Sequence, residues 1–182
     1  SEMGRLINSL SDEERANTVI IFIGDNGTPN GVTQLPYRAM RSKGSIYQGG
    51  VNVPMIISGS GVNRMGEREA ALIHTTDLFA TIAEISGVSI EEINNSKSFY
   101  NLLSDSTASK REFVYTERSN NGVSYAIRNS IYKLIVHENG NQEFYNLLDD
   151  PYEINDLIDT ALSSDALSAK SDLEIEANII RM

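Results

Sequence analysis

The chain has 182 residues, a formal net charge of −10 at pH 7 and no cysteine. The negative charge argues against binding to nucleic acid or to acidic membrane surfaces, since both would repel it. The missing cysteines exclude disulfides and thiolate metal sites. No apolar run approaches the length of a membrane span, and a hydrophobic content of 40% suffices for a packed core.

The first part of the sequence alternates between helical and strand patterns. The apolar run in 18–23 is continuous, which is typical of a strand buried on both faces of a parallel sheet between helices. We therefore expect an α/β fold with mostly parallel strands here. The predicted elements are a helix over 3–16, a strand over 18–23, a loop over 24–52, a strand over 54–58 and a helix that starts at Thr75 or Thr76 and ends before Gly87.

The second part predicts a small antiparallel sheet. Short segments rich in Val, Ile, Tyr and Phe are separated by Asn121-Gly122 and Asn139-Gly140, a pair of residues that favours hairpin turns. The expected elements are four strands, over 112–117, 123–129, 131–137 and 142–145, and a terminal helix over 164–182. We place the boundary between two domains at 108/109, so that 1–108 is the α/β part and 109–182 is the meander with its helix.

Asp25 and Asn26 directly follow the first predicted strand. Ligands of α/β sheets bind beyond the carboxyl ends of the strands, and carboxylate and amide oxygens suit Ca²⁺ or Mg²⁺. The alternative is structural, because Asn26-Gly27 also favours a type I′ hairpin turn. That alternative requires a second strand at once, whereas 28–34 is polar and contains a proline.

The loop from 24 to 52 contains several cations and glycines. A loop of this length inside a compact domain is usually functional or disordered, and its glycines permit close backbone approach to a ligand. Lys43 is the first candidate for binding an anion. Arg38 and Arg41 are further candidates, although exposed arginine is the default for this residue type.

Four segments, in this order and spacing, resemble type I sulfatases of the arylsulfatase family, within the alkaline phosphatase-like superfamily. They are NTVIIFIGDNG at 17–27, KGSIYQGGVNVPMII at 43–57, HTTDLFATIAEISGV at 74–88 and SIYKLIVHENGNQEFYNLLDDPYEINDL at 130–157. The resemblance extends from Gly4 to Asp156 and corresponds to the C-terminal portion of such an enzyme. It implies a compartment outside the cytoplasm, periplasmic or extracellular, for the parent protein.

The resemblance implies the roles of three residues. Asp25 and Asn26 would be ligands of Ca²⁺, with Mg²⁺ as the alternative, and Lys43 would bind the sulfate group of a sulfate ester. The family's nucleophile is a formylglycine made from Cys or Ser in the pattern Cys/Ser-x-Pro-x-Arg, and this chain has no such segment. The nucleophile is therefore expected in an N-terminal part, and the chain alone is expected to be inactive.

Two residues of the loop depart from the family pattern. The family often has Glu and Arg where this chain has Gln48 and Asn52. The alternatives to a sulfatase portion are a phosphodiester or phosphonate hydrolase of the same superfamily and a non-catalytic binding module. We also expect the chain either to self-associate or to be marginally stable, because a sheet cut from its other strands exposes edges and apolar faces.

Overall fold

The computed structural model describes residues 2–88, 90–91, 93–108, 111–119 and 122–182. The helices are α1 (Glu2–Asn8), α2 (Asp12–Ala16), α3 (Gln48–Val51), α4 (Asp77–Ile85) and α5 (Ser164–Ile180). The strands are β1 (Val19–Ile23), β2 (Met55–Gly59), β3 (Val114–Ser119), β4 (Val123–Arg128), β5 (Tyr132–Val136) and β6 (Gln142–Asn146). None of the helices among these residues is long and apolar enough to cross a membrane.

The chain divides into two compact units that interleave along the sequence. One comprises Ser1–Gly24, Pro54–Ala70 and His74–Lys110, and the other comprises Asp25–Val53, Ala71–Ile73 and Arg111–Met182. The loop that carries Asp25, Asn26 and Lys43 therefore belongs to the same unit as the C-terminal sheet. The domain boundary at 108/109 stays a prediction.

In the first unit, β1 pairs with β2 in the antiparallel direction, with Val19 opposite Gly59 and Ile23 opposite Met55. The prediction of mostly parallel strands is wrong for the strands that the structure describes. A continuous apolar run does not determine strand direction, which explains the error. The expected burial on both faces is also absent from β1, because its residues are partly buried or, at Phe22, exposed. Phe22 is 41% exposed, and its cross-strand partner Ile56 is 62% exposed, so this sheet presents an apolar surface.

The helix predicted over 3–16 is divided into α1 and α2. Ser11 begins the second helix with a capping box, since its hydroxyl accepts from the amide of Glu14 and the Glu14 carboxylate accepts from the amide of Ser11. This exchange satisfies two amides at the helix start and favours a new helix there. Apolar spacing alone does not show the break.

The predicted helix after Thr76 is α4. No side-chain cap is formed by Thr76; instead the buried carboxylate of Asp77 accepts from the amides of His74 and Lys97, at 2.8 Å and 2.9 Å. The helix ends before Gly87, whose φ of +74° is the left-handed conformation that commonly terminates helices. The predicted end is confirmed.

The second unit contains the predicted four-stranded meander, in the order β3-β4-β5-β6, with α5 behind it. Gly140, at φ +84°, lies in the turn between β5 and β6, as predicted; Asn121 lies outside the described residues. The small antiparallel sheet and the terminal helix are thus confirmed.

Both faces of this meander are covered. Because side chains alternate across a strand, Ile127, Leu134 and Phe144 pack against α5, and their neighbours face the other way. Ala126, Ile135 and Tyr145 form a second cluster with Ile46 of the long loop. The meander is therefore the platform on which the loop lies.

Candidate functional site

The segment after β1 runs beside the segment that carries Lys43. The amide of Lys43 donates to the carbonyl oxygen of Thr28, and the amide of Gly27 donates to the carbonyl oxygen of Gly50, both at 3.0 Å. Backbone hydrogen bonds thus bring the stretch that begins with Asp25 next to Lys43. The hairpin alternative for Asn26-Gly27 is wrong, because the next strand after β1 is β2, beyond the whole loop.

Glycines permit this approach of the two backbones. A Cβ atom added to Gly27 would lie 1.9 Å from the carbonyl oxygen of Gly49 and 2.8 Å from the Cα of Gly50. A Cβ added to Gly50 would lie 2.3 Å from the carbonyl oxygen of Ser45. No other residue type fits at these positions without a backbone shift.

The three predicted site residues, Asp25, Asn26 and Lys43, carry polar atoms on these two adjoining backbone segments. Asp25 and Lys43 are exposed and Asn26 is half-buried. The Nδ2 atom of Asn26 donates to the carbonyl oxygen of Gly27 at 3.0 Å, which leaves its Oδ1 oxygen as an acceptor. Their functional roles stay predictions.

Asp25 and Asn26 could supply only part of the ligand shell of a cation. Asp25 and Asn26 supply one carboxylate and one amide oxygen, whereas Ca²⁺ takes six to eight oxygens. Within the described ranges, no group of three His, Cys, Asp or Glu side chains is placed to hold a metal ion. The two residues fit a hard cation as part of a ligand shell and not as a whole one.

Arg41 does not point to the predicted anion site. Its guanidinium donates to the hydroxyl of Tyr145 at 3.1 Å and to the backbone carbonyl of Glu153, and it lies 4.4 Å from the ring centre of Tyr47. The hypothesis that Arg41 reaches a sulfate is not supported by this geometry. Arg38 is exposed, and its role is untested.

A buried ion pair between Lys133 and Glu153 forms hydrogen bonds to the backbone of the loop. Each residue is 1% exposed, and the Nζ atom of Lys133 lies 2.5 Å from Oε1 of Glu153. Lys133 also donates to the carbonyl oxygen of Ile46 at 2.7 Å, and Oε2 of Glu153 accepts from the amide of Gln48 at 2.6 Å. Burial lowers the pKa of Lys133, and the carboxylate of Glu153 opposes that shift.

Glu143 accepts several hydrogen bonds beside this pair. Its carboxylate receives the hydroxyls of Tyr47, at 2.7 Å, and of Tyr145, and it lies 2.7 Å from Nε2 of His137. Burial alone would raise the pKa of Glu143, but these hydrogen bonds and the charge of Arg41 lower it below its ordinary value. Burial and the bonds to Glu143 raise the pKa of both tyrosines.

Sequence reasoning missed these polar residues of the meander. His137, directly after β5, also contacts Glu143. One signal was present: Lys133 stands inside the apolar strand β5, two residues before Ile135 and therefore on the same face. A lysine at a buried strand position requires a partner.

A family model and curated relatives show that the chain is similar to sulfatases. The model of the family described as N-sulphoglucosamine sulphohydrolase, C-terminal, matches residues 39–177. A sulfatase of Formosa agariphila is 24% identical over 153 residues, which cover 84% of this chain and 29% of that relative. The chain thus spans about three tenths of the length of this curated relative.

Solved structures share the fold over nearly the whole chain. The structure of BT4656 in complex with its substrate D-glucosamine-2-N,6-O-disulfate has a TM-score of 0.82 and 22% identity, and it matches 98% of this chain and 38% of its own. The phosphonate monoester hydrolase of Agrobacterium radiobacter has a TM-score of 0.68 and 18% identity, with 99% and 38% covered. The family match covers more than half of the chain, so the chain belongs to the sulfatase C-terminal family described as N-sulphoglucosamine sulphohydrolase, C-terminal, within the alkaline phosphatase-like superfamily.

Proposed function

We propose that the chain is the portion of a sulfatase that binds the sulfate group of a sulfate ester and completes the metal site. The observation that supports this most is the loop geometry in a chain of this family. Two backbone hydrogen bonds join the segment that begins with Asp25 to the segment that carries Lys43. The oxygens of Asp25 and Asn26 and the ammonium of Lys43 therefore lie on adjoining backbone segments.

Lys43 carries the part of the chemistry that this chain can supply. Its ammonium is a compact point charge with three donors, and its exposed position leaves it accessible to a sulfate oxygen. A positive charge there lowers the energy of the negative charge that grows on the oxygens during hydrolysis. The repulsion expected from the chain's charge of −10 makes such a local cation necessary.

Asp25 and Asn26 would hold Ca²⁺, or Mg²⁺, through a carboxylate oxygen and the Oδ1 oxygen. A bound divalent cation supplies Lewis-acid stabilisation of the substrate's oxygens. Further ligands, and a formylglycine nucleophile, would come from an N-terminal part of the parent protein. Because covalent catalysis requires that nucleophile, we expect no hydrolysis by this chain alone.

A phosphonate or phosphodiester hydrolase is the second candidate. The chain shares its fold with a phosphonate monoester hydrolase, and an ammonium at Lys43 suits a phosphonate oxygen as well as a sulfate oxygen. The site in this chain therefore supports hydrolysis of an ester of a tetrahedral oxyanion. It does not by itself favour sulfur over phosphorus as the central atom.

The test is hydrolysis by the full-length protein that carries this chain. We expect turnover of an aryl sulfate above that of a phenyl phosphonate, loss of activity with a chelator, and at least a tenfold fall in kcat/KM for Lys43→Ala. Lys170→Ala, in a half-buried pair with Glu174 on α5, is the matched control and should leave kcat/KM unchanged. Preference for the phosphonate would favour the second candidate, and binding of either anion without turnover would favour a non-catalytic module.

A further inference from the structure

We propose that the buried Lys133–Glu153 pair and Arg41 are positioning residues: they fix the backbone on both sides of Lys43 and so direct its ammonium. This inference rests on the proposed role of Lys43. It assigns a function to the C-terminal meander, which supplies the groups that hold the loop.

The first fixed point lies after Lys43. Lys133 donates to the carbonyl of Ile46 and to Glu153, and the second oxygen of Glu153 accepts from the amide of Gln48. The ion pair therefore bonds one acceptor and one donor of the loop backbone, on either side of Tyr47. The amide of Gln48 belongs to the first turn of α3, where amides have no partner within the helix.

The second fixed point lies before Lys43. Arg41 donates to the carbonyl of Glu153 and to Tyr145, and its charge lies 3.6 Å from the carboxylate of Glu143. Glu153 therefore takes part at both ends, through its backbone at residue 41 and its side chain at residue 48. Between them, Arg118 of β3 donates to the carbonyl of Gly44 at 3.0 Å.

An ion pair is not required here for packing. Part of the surrounding face of the meander is apolar, with Ala126, Ile135 and Ile46 in one cluster, and buried ion pairs are often replaced by apolar residues without loss of stability. What apolar residues cannot supply is a directional bond to the amide of Gln48 or the carbonyl of Ile46. The flexible side chain of Lys43 has four rotatable bonds, so the position of its ammonium is defined only if the backbone that carries it is fixed.

The decisive variant is Lys133→Met/Glu153→Met in the full-length protein. It removes both charges together, so no single buried charge remains. We expect a melting temperature within a few degrees of the wild type, at least a tenfold fall in hydrogen-exchange protection of the Lys43 amide, and at least a tenfold fall in kcat/KM for an aryl sulfate.

Two further variants complete the design. Lys170→Met/Glu174→Met removes a half-buried pair on α5 in the same unit and should leave the protection of the Lys43 amide and kcat/KM unchanged. If the first double variant does not fold, Arg41→Gln tests the other fixed point, and we expect the same fall in protection of the Lys43 amide.

Each outcome decides the inference. Unchanged protection of the Lys43 amide in a folded variant overturns it, as does unchanged kcat/KM with lowered protection. If the wild-type protein hydrolyses no sulfate ester, the proposed function fails, while the exchange measurement still decides whether these residues fix the loop.

Discussion

The hydroxyl of Tyr47 donates to the carboxylate of Glu143 at 2.7 Å, across 96 residues of sequence. Tyr47 lies in the loop and Glu143 in β6, so this bond joins the candidate site to the meander. The ring of Tyr47 lies beneath the guanidinium of Arg41, which places a cation, a hydroxyl and a carboxylate in one half-buried group.

Tyr47→Phe removes this hydrogen bond and keeps the ring. We expect a loss of about 1.5–3 kcal/mol in the free energy of unfolding, since hydrogen bonds to charged groups lie in this range. The control is Tyr115→Phe, whose hydroxyl donates to Glu117 at the surface and should matter less. Urea unfolding followed by circular dichroism measures both, and equal losses would contradict the prediction.

The lowered pKa of Glu143 predicts a dependence of stability on pH. In the unfolded chain this carboxyl has a pKa of about 4.3, and in the fold its pKa lies below the ordinary value. The group stabilises the fold fully above the unfolded pKa, and this contribution is lost as the pH falls through the folded pKa.

Glu143→Gln should therefore reduce the loss of stability between about pH 5 and the acid transition. Melting temperatures of the wild type and the variant, measured across this range, provide the test. Melting curves that shift in parallel at every pH would show that Glu143 does not contribute to the acid dependence.

Gly27→Ala should destabilise the loop, because the added Cβ would lie 1.9 Å from the carbonyl oxygen of Gly49. A backbone contact of this kind forces a shift that costs about 1–3 kcal/mol. Gly31→Ala is the matched control, since its added Cβ meets nothing within 4 Å. The melting temperature should fall only for the first variant, and an equal fall for both would refute the close approach.

Calcium should bind the isolated chain no more tightly than roughly millimolar, the range of weak sites. Asp25 brings one negative charge, Asn26 brings none, and water would supply most of the shell. Isothermal calorimetry with and without Asp25→Asn measures this. Micromolar affinity that depends on Asp25 would mean that the chain alone contains a nearly complete site.

The two-stranded sheet should make the isolated chain self-associate. Phe22 and Ile56 are opposite each other and largely exposed, and apolar residues on a short open sheet favour pairing with a second copy. Sedimentation velocity should show a coefficient that rises with concentration. Phe22→Ser/Ile56→Ser should suppress this rise, whereas Ile175→Ser, at a comparably exposed position on α5, should not.

The meander was the most predictable part of the fold. Alternation in the strands and the glycine at 140 determine its register locally, and the structure has the expected strands within one or two residues at most ends. The direction of β1 was not predictable, because an apolar run does not specify how a strand pairs with its neighbour. The break between α1 and α2 depends on the capping box of Ser11 and Glu14, which the apolar spacing conceals.

The candidate site was likewise predictable only in part. Asp25, Asn26 and Lys43 were chosen from residue types and family spacing, and the structure brings their backbone segments together. The roles of Lys133, Glu143 and Glu153 depend on contacts across 87 to 105 residues for the bonds to Ile46, Tyr47 and Gln48. Such long-range pairs have no local signature, apart from a charged residue inside an apolar strand.

The long separation between the loop and its supports determines when the loop can form. Ile46 and Gln48 leave the ribosome well before Lys133 and Glu153, the residues that bond to them. Closing contacts of such sequence separation is slow compared with local structure. The loop around Lys43 can therefore form these supporting bonds only after residue 153 has been synthesised.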